Sequence, residues 1–321
     1  MMLKRPELRG WLLVALGAAI LVLVVLPPLL PIYIVILLTQ SLIYAIVAMS
    51  LDVLIGYTGL GALGHAAYFA IGAYTTALLA TRYNVGFAVT LPSSIGMAAG
   101  ASAVIGLMAL RAVGVSFILI TLAIALCVWG LIYSWVSLTG AENGISSIPR
   151  PDLGLPVDLL DHVNFHYFIL IAFIICFILI FLLIRSPFGR TLVGIRDSES
   201  RMKVLGFNVW LHKYLAFIIA GAFAGLGGAL YAHFTKFVGP DDSDLAQCME
   251  FVLMVSLGGR GTLVGPTIGA FVITFLRNLV SVYTGRWLMI MAIIYVLTAK
   301  YAPEGIMGVL KRFRKRVEVA V

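Results

Sequence analysis

Charge is scarce in this chain. Only 11% of its 321 residues are Asp, Glu, Lys or Arg, while 62% are hydrophobic. Soluble domains run nearer a quarter charged and half apolar, so the balance excludes a water-soluble enzyme and fits an integral membrane protein. Cysteine is nearly absent as well. Cys127, Cys176 and Cys248 stand alone in separate apolar runs without CxxC spacing, which leaves a disulfide scaffold or a zinc motif without support. The period-two alternation of membrane β-barrel strands is missing, so the spans are helices. Catalytic signatures are missing too. The sequence holds no GxxxxGK[ST], HExxH or GxSxG, and no paired His or carboxylate ligands within its apolar runs. Without a Walker A loop the chain cannot bind ATP through that motif, so any energy source other than an ion gradient must come from another subunit. Gly59-Leu60-Gly61-Ala62-Leu63-Gly64 does match GxGxxG. It lies between two apolar spans rather than after a strand in a soluble βαβ unit, and close packing explains it better than dinucleotide binding.

What is present is a series of apolar segments, several of them near the roughly 20 residues that cross the hydrocarbon core as a helix. They fall at 11–26, 32–54, 61–80, 87–110, 115–138, 165–184, 214–234, 248–257, 264–282 and 287–302. The fold class is therefore an all-α integral membrane protein, a polytopic helical bundle of about 10 transmembrane segments in one domain, 1–321. Segments 61–80, rich in glycine and alanine, and 248–257, too short to span alone, are the candidates for re-entrant or broken helices. Lys4, Arg5 and Arg9 precede an apolar run that ends in Leu26-Pro27-Pro28 without a small-residue cleavage site, which predicts an uncleaved first span.

The formal net charge is +8. Much of it sits in an island at 185–213 and in the tail Lys311-Arg312-Phe313-Arg314-Lys315-Arg316 within 303–321. Charge placed so reads as cytoplasmic and lipid-adjacent rather than as a nucleic-acid surface, and makes anionic membrane lipids a partner. The loops 139–164 and 235–247 are acidic, the second carrying Asp241, Asp242 and Asp244 against Lys236. Both belong outside, and ten crossings then leave the N- and C-termini in the cytoplasm.

Small-xxx-small pairs occur at Gly96/Gly100, Gly221/Gly225 and Gly265/Gly269, spacings that suit tight helix packing more than pore lining. Asp52 lies near the end of the second apolar segment. It is either a carboxylate at the interface or paired with an arginine such as Arg111, or a group on a water-filled path. His65 reads as a hydrogen-bonded structural histidine before it reads as a ligand contact. Asp52 and His65 are the two ionisable groups expected to be buried within the bundle.

Inside the basic island, Asp197-Ser198-Glu199-Ser200-Arg201-Met202-Lys203-Val204-Leu205-Gly206 predicts one short helix. Asp197 is its N-cap, Glu199 complements the positive end of the dipole, and Gly206 takes the left-handed terminating position. Met202 and Leu205 share a face that suits a groove on a partner, the alternative being a helix lying on anionic headgroups.

The residues Gly194-Ile195-Arg196-Asp197-Ser198-Glu199 and Val204-Leu205-Gly206-Phe207-Asn208 resemble the coupling loop of ABC importer permeases. More closely they are similar to the LivM-type permease of branched-chain amino-acid importers. Gly56-Tyr57-Thr58-Gly59 and Gly64-His65-Ala66-Ala67-Tyr68-Phe69-Ala70-Ile71-Gly72-Ala73-Tyr74 resemble that family's early signature. Thr139-Gly140-Ala141-Glu142-Asn143-Gly144-Ile145 resembles its outer-loop motif. Ser186-Pro187-Phe188-Gly189-Arg190, Leu257-Gly258-Gly259-Arg260-Gly261-Thr262-Leu263-Val264-Gly265-Pro266 and Pro303-Glu304-Gly305-Ile306 complete the series.

The resemblance implies a bacterial inner-membrane permease that is not itself an enzyme and holds no cofactor, ATP and Mg being bound by partner subunits. It implies a second homologous permease forming a heterodimer, two cytoplasmic ABC ATPases and a periplasmic substrate-binding protein. It implies an ATPase-coupling set of Gly194, Arg196, Asp197, Glu199, Met202, Leu205 and Gly206. The substrate-path candidates are Asp52, Gly59, His65, Tyr68, Gly72, Tyr74, Asn143 and Gly265. Two departures stand out: Arg201-Met202 occupies a place where the family usually has small residues, and Ala62 one where it often has serine. A weak echo between Gly61-Ala62-Leu63…Ile71-Gly72-Ala73-Tyr74 and Gly261-Thr262-Leu263…Ile268-Gly269-Ala270-Phe271 predicts that both glycine-broken segments line the path. A urea or short-amide importer of the same architecture is the alternative substrate reading, ahead of an ion-coupled secondary transporter.

Overall fold

Twenty-one residues from Ile32 to Asp52 form helix α1, which runs through the middle of the protein, fully buried from Ser41 onward. The computed structural model describes residues 23–151, 159–301 and 305–308, so most of the predicted segment 11–26 lies outside the described residues. Past Asp52 the helix widens into a π turn, Val53–Thr58, and stops at Gly59 with φ 78°. Such widening frees backbone carbonyls that a regular helix would use internally.

Helix α2, His65–Arg82, is buried along most of its length. Helices α3, Phe87–Ala109, and α4, Val115–Ser134, flank it and leave large apolar faces uncovered. A one-turn helix α5, Val136–Thr139, leads into strand β1, Ile145–Ser146. Helix α6, His162–Arg185, then runs back. The basic island folds as α7, Pro187–Asp197, and α8, Glu199–Val204. Helix α9, Val209–Thr235, returns through the centre to strand β2, Phe237–Val238. Helix α10, Leu245–Gly258, a glycine turn, helix α11, Val264–Tyr283, and helix α12, Trp287–Tyr301, follow, and residues 305–308 are again helical.

Glycine lets α9 sit at the centre. A Cβ at Gly225 would overlap Ala98 of α3, one at Gly228 would overlap Phe69 of α2, and one at Gly227 would overlap Val47 of α1. Backbones approach closely where hydrocarbon supplies no hydrophobic drive. Gly265 and Gly269 press in the same way on Gly258 and Met254 and fasten α11 to α10. Gly96 and Gly100 meet nothing within 4 Å, so that pair faces out of this subunit and the packing reading fails there.

The two acidic loops meet. Strand β1 pairs antiparallel with β2, Ile145 opposite Val238, and Arg82 at the end of α2 donates to the Ser137 and Leu138 carbonyls. Since α9 rises about 40 Å over its 27 residues, this end lies far from the α7–α8 hairpin at its start.

Six helices are long and apolar enough to cross a membrane among the described residues: 32–58, 87–109, 115–134, 162–185, 209–235 and 264–283. The count of ten crossings is not confirmed. Segment 61–80 becomes helical only at His65, because Gly59, Gly61 and Gly64 precede it in non-helical backbone. Helix α10 has 14 residues, a rise of about 21 Å, short of a roughly 30 Å hydrocarbon core.

Candidate functional site

The hairpin α7–α8 is built from local signals. Ser186 caps α7 by accepting from the Gly189 amide at 3.2 Å, and Pro187 takes the first helical position, where a missing N–H costs nothing. Leu192 and Ile195 bury one face of α7 against the bundle. The single predicted helix from Asp197 to Gly206 is instead two helices broken at Ser198, whose φ of −164° is extended backbone. Asp197 is not the cap. It ends α7, and its Oδ1 accepts from Arg196 at 3.2 and 3.3 Å, while Ser198 Oγ accepts from the Arg201 amide. Both residue types cap well; the extended backbone falls on the serine and decides it.

Glu199 binds Lys203 one turn on at 3.1 Å and Lys213 of α9 at 2.6 Å. The Lys213 hydrogen bond holds its carboxyl below the ordinary carboxylate range. Gly206, at φ 87°, closes α8: the Gly206 amide reaches the Lys203 carbonyl and the Phe207 amide the Met202 carbonyl, the paired bonds of a Schellman motif. Met202 does not share an outward face with Leu205. A Cβ at Gly194 would meet Met202 Sδ at 2.8 Å, so Met202 wedges α8 against α7. The apolar tip offered outward is Val204 and Leu205, 89% and 65% exposed.

Arg196 leads from the hairpin into the membrane bundle. Its Nη1 donates to the Gly56 carbonyl in the π turn of α1 at 2.5 Å. One turn earlier, fully buried Asp52 accepts from the Gly261 amide at 2.8 Å. Gly261, at φ 71°, has Arg196 Nη1 beside it, and a Cβ at Gly59 would strike the Arg196 side chain. Three segments therefore converge on this knot: the π turn of α1, the C-terminus of α7, and the Gly259–Leu263 turn. The alternative of Asp52 paired with Arg111 is corrected, since Arg111 is exposed in the α3–α4 turn and the charges facing Asp52 are Arg196 and Arg260.

The other path candidates scatter. His65 bonds Ser50 Oγ at 2.7 Å and packs edge-on to Tyr68, which in turn meets Phe217. Gly72 touches the Gly225 backbone. Ala73 and Ala270, one on each glycine-broken segment, are fully buried. Gly265 packs on the Thr262 side chain and the Gly258 and Gly259 carbonyls. Tyr74 lies near the acidic loop, its hydroxyl without a partner, and Asn143 is exposed in a loop at that end.

Sequence reasoning missed a second polar cluster. Glu250 of α10 and Arg277 of α11 form a 2.8 Å ion pair, and Tyr44 of α1 interacts with Arg277. Tyr231 stacks on Tyr44 and bonds Asp242 of the acidic loop. Burial raises the Asp242 carboxyl to about 6. Asp52 and His65 are thus not the sole buried ionisable groups: Glu250, His166 and His233 join them. The two histidines tie elements together, His166 to Thr39 and the Leu23 carbonyl, His233 to the Pro149 carbonyl. The signal for Glu250 and Arg277 was lone opposite charges in neighbouring apolar segments. Among the described residues no group of three His, Cys, Asp or Glu could hold a metal ion.

Residues 33–299 match the family described as the permease component of branched-chain amino acid transport systems. The high-affinity branched-chain amino acid transport system permease protein LivM of Escherichia coli (strain K12) is 32% identical over 84% of this chain and 68% of its own length. The probable LivM of Methanocaldococcus jannaschii is 24% identical over 82% of this chain and 90% of its own. The permease LivH of Escherichia coli is 25% identical over 83% of this chain and 91% of its own. No solved structure matches the chain.

Proposed function

The chain belongs to the family of branched-chain amino acid transport permeases, as a LivM-type, multi-pass inner-membrane member, and from that membership we propose how it works. It carries branched-chain or other apolar amino acids across the membrane as one half of an ATP-driven importer. A LivH-like permease is its partner, two ABC ATPases bind at the α7–α8 hairpin, and a periplasmic binding protein delivers substrate at the end where the acidic loops meet.

The observation that carries this reading is the position of Arg196. It stands on a polar hairpin that offers Val204 and Leu205 to a soluble partner, and it grips the Gly56 carbonyl inside the bundle. When the ATPase dimer closes on nucleotide it moves the hairpin. Arg196 then carries the motion to the π turn of α1 and to the Gly259–Leu263 turn. The free energy comes from the different affinities of the two permease states for the nucleotide-bound dimer. The same proposal orients the chain with the hairpin and both termini in the cytoplasm and the β1–β2 end outside.

The test is uptake and hydrolysis by the complete complex in vesicles. Replacing Glu199 or Gly206 with a bulky residue is expected to leave the permease inserted and ATP hydrolysis running while leucine uptake is lost. Normal uptake and normal substrate-stimulated hydrolysis in both variants would contradict the coupling role. Import of urea in place of leucine by the wild-type complex would overturn the substrate.

A further inference from the structure

Four polar residues lie on the facing stripes of α10 and α11, among otherwise apolar neighbours that make polarity costly. Gln247 and Glu250 are three apart on one helix, and Thr274 and Arg277 three apart on the other. The glycine contacts set the register, Gly258 against Gly265 and Met254 against Gly269. The next turn brings Glu250 opposite Ile273 and Thr274, and the Glu250–Arg277 bond closes the group.

The group is incompletely satisfied. Glu250 Oε2 takes the Arg277 guanidinium, but Glu250 Oε1, Gln247 Nε2 and Thr274 Oγ1 have no hydrogen-bond partner. Their residues are only 4%, 6% and 1% exposed. Buried polar atoms are nearly always paired, so these three need partners from outside the chain's own side chains and backbone. The orphans are also of complementary kinds: a carboxylate oxygen that accepts, an amide that donates, and a hydroxyl that does either. Next to them Phe251 packs edge-on to Tyr44 at 5.7 Å and to Phe69 at 5.4 Å, an aromatic wall. The Arg277 side chain is 31% exposed, so the cluster opens on one side of the bundle. Tyr44, Tyr231 and Asp242 link it to the acidic loop.

The geometry points to a transit site for an α-amino acid zwitterion. The inference rests on the proposed transport role and deepens it by naming the residues. Glu250 Oε1 accepts from the ammonium, Gln247 Nε2 and Thr274 Oγ1 donate to the carboxylate with Arg277 beside them, and the apolar tail lies on the aromatic wall. Charge favours this ligand class. The Glu250–Arg277 pair is neutral as a unit, so a zwitterion adds no net charge to it, whereas a cation or an anion leaves one unbalanced.

The experiment measures uptake of labelled leucine by the complete complex in vesicles, driven by saturating leucine-loaded binding protein. Basal ATP hydrolysis and the melting temperature of the complex are followed in parallel. Thr274→Val is isosteric and uncharged, so it tests the site without burdening the fold. Thr274→Val and Gln247→Leu are each expected to cut uptake about tenfold, the loss of one buried hydrogen bond, with basal hydrolysis and melting unchanged. Thr274→Ser, which restores the hydroxyl, is expected to keep wild-type uptake. Glu250→Gln should fall further than either, since it removes the charge facing the ammonium. Uptake within twofold of wild type in both Thr274→Val and Gln247→Leu overturns the site, as does a Thr274→Ser variant no better than Thr274→Val. If the wild-type complex imports no leucine, the transport reading falls and the site with it. Leucine import by wild type with unaffected variants sinks the site alone.

Discussion

Asp52 and Gly261, 209 residues apart in sequence, are joined by a 2.8 Å hydrogen bond from the Gly261 amide to the Asp52 carboxylate. The bond fixes the end of α1 to the turn between α10 and α11, where Gly259 and Gly261 hold positive φ. Arg196 reaches the same place from the hairpin. A displacement of α7 therefore acts on both membrane segments at once, because the interior is packed and does not absorb small shifts.

Removing the acceptor should loosen that junction. Asp52→Asn keeps an oxygen in place and is expected to retain most of the thermal stability of the complex. Asp52→Leu leaves the Gly261 amide unpaired, at about 1–3 kcal/mol, and should lower the melting temperature measurably. Equal melting of the two variants would show that the bond carries no weight.

Glycine contacts give a paired comparison. Gly72→Ala drives a methyl into the Gly225 backbone and should destabilise the permease by about 1–3 kcal/mol. Gly96→Ala meets nothing within 4 Å and is expected to stay within about 0.5 kcal/mol. Thermal melting of the purified subunit distinguishes them, and the reverse order would refute the packing described.

Met202 and Leu205 should separate in function. Met202→Ala removes the wedge between α7 and α8, at about 1–2 kcal/mol for a half-buried side chain, and should loosen the hairpin. Leu205→Asp is expected to leave the permease folded and to weaken the proposed contact with the ATPase subunits. Copurification of the ATPases with each variant is the readout.

Acid titration should report on the outer loop. Burial raises Asp242 from the ordinary 3.8 to about 6, so its folded form resists ionisation more than its unfolded form. The sign is then fixed: stability declines as pH rises from about 4 to about 6 and levels off above. Asp242→Asn should flatten that decline in melting temperature. Glu199 works in the opposite direction, since its depressed carboxyl contributes stability above about 4.5 that is lost as pH falls further.

The hairpin was legible in the sequence because Lys and Arg stand out against apolar spans and Gly206 marks a helix end. Its inner geometry was not. Asp197 and Ser198 are equally good caps on paper, and Met202 turns inward only because Gly194 leaves room for it. Partnerships across long separations were hidden for a different reason. Glu250 and Arg277 lie 27 residues apart, each diluted in an apolar run, and their pairing depends on the register of α10 against α11. The Asp52–Gly261 bond needs the tertiary fold to exist at all. Span counting is weakest where helices are short or begin late, as α10 and α2 do, the two segments the sequence marks as candidates for broken helices, because hydropathy measures composition and not where a glycine run keeps the backbone from winding.

The central claim is that Arg196 transmits hairpin motion to the membrane bundle, and Arg196→Met tests it most directly. Methionine keeps an apolar stem against Gly59 and cannot donate to the Gly56 carbonyl. Leucine uptake and ATP hydrolysis should be measured on the same vesicles containing the complete complex. The account predicts that hydrolysis continues while uptake falls at least about tenfold, the loss expected for a charge-assisted hydrogen bond. Unchanged uptake per ATP hydrolysed would contradict it.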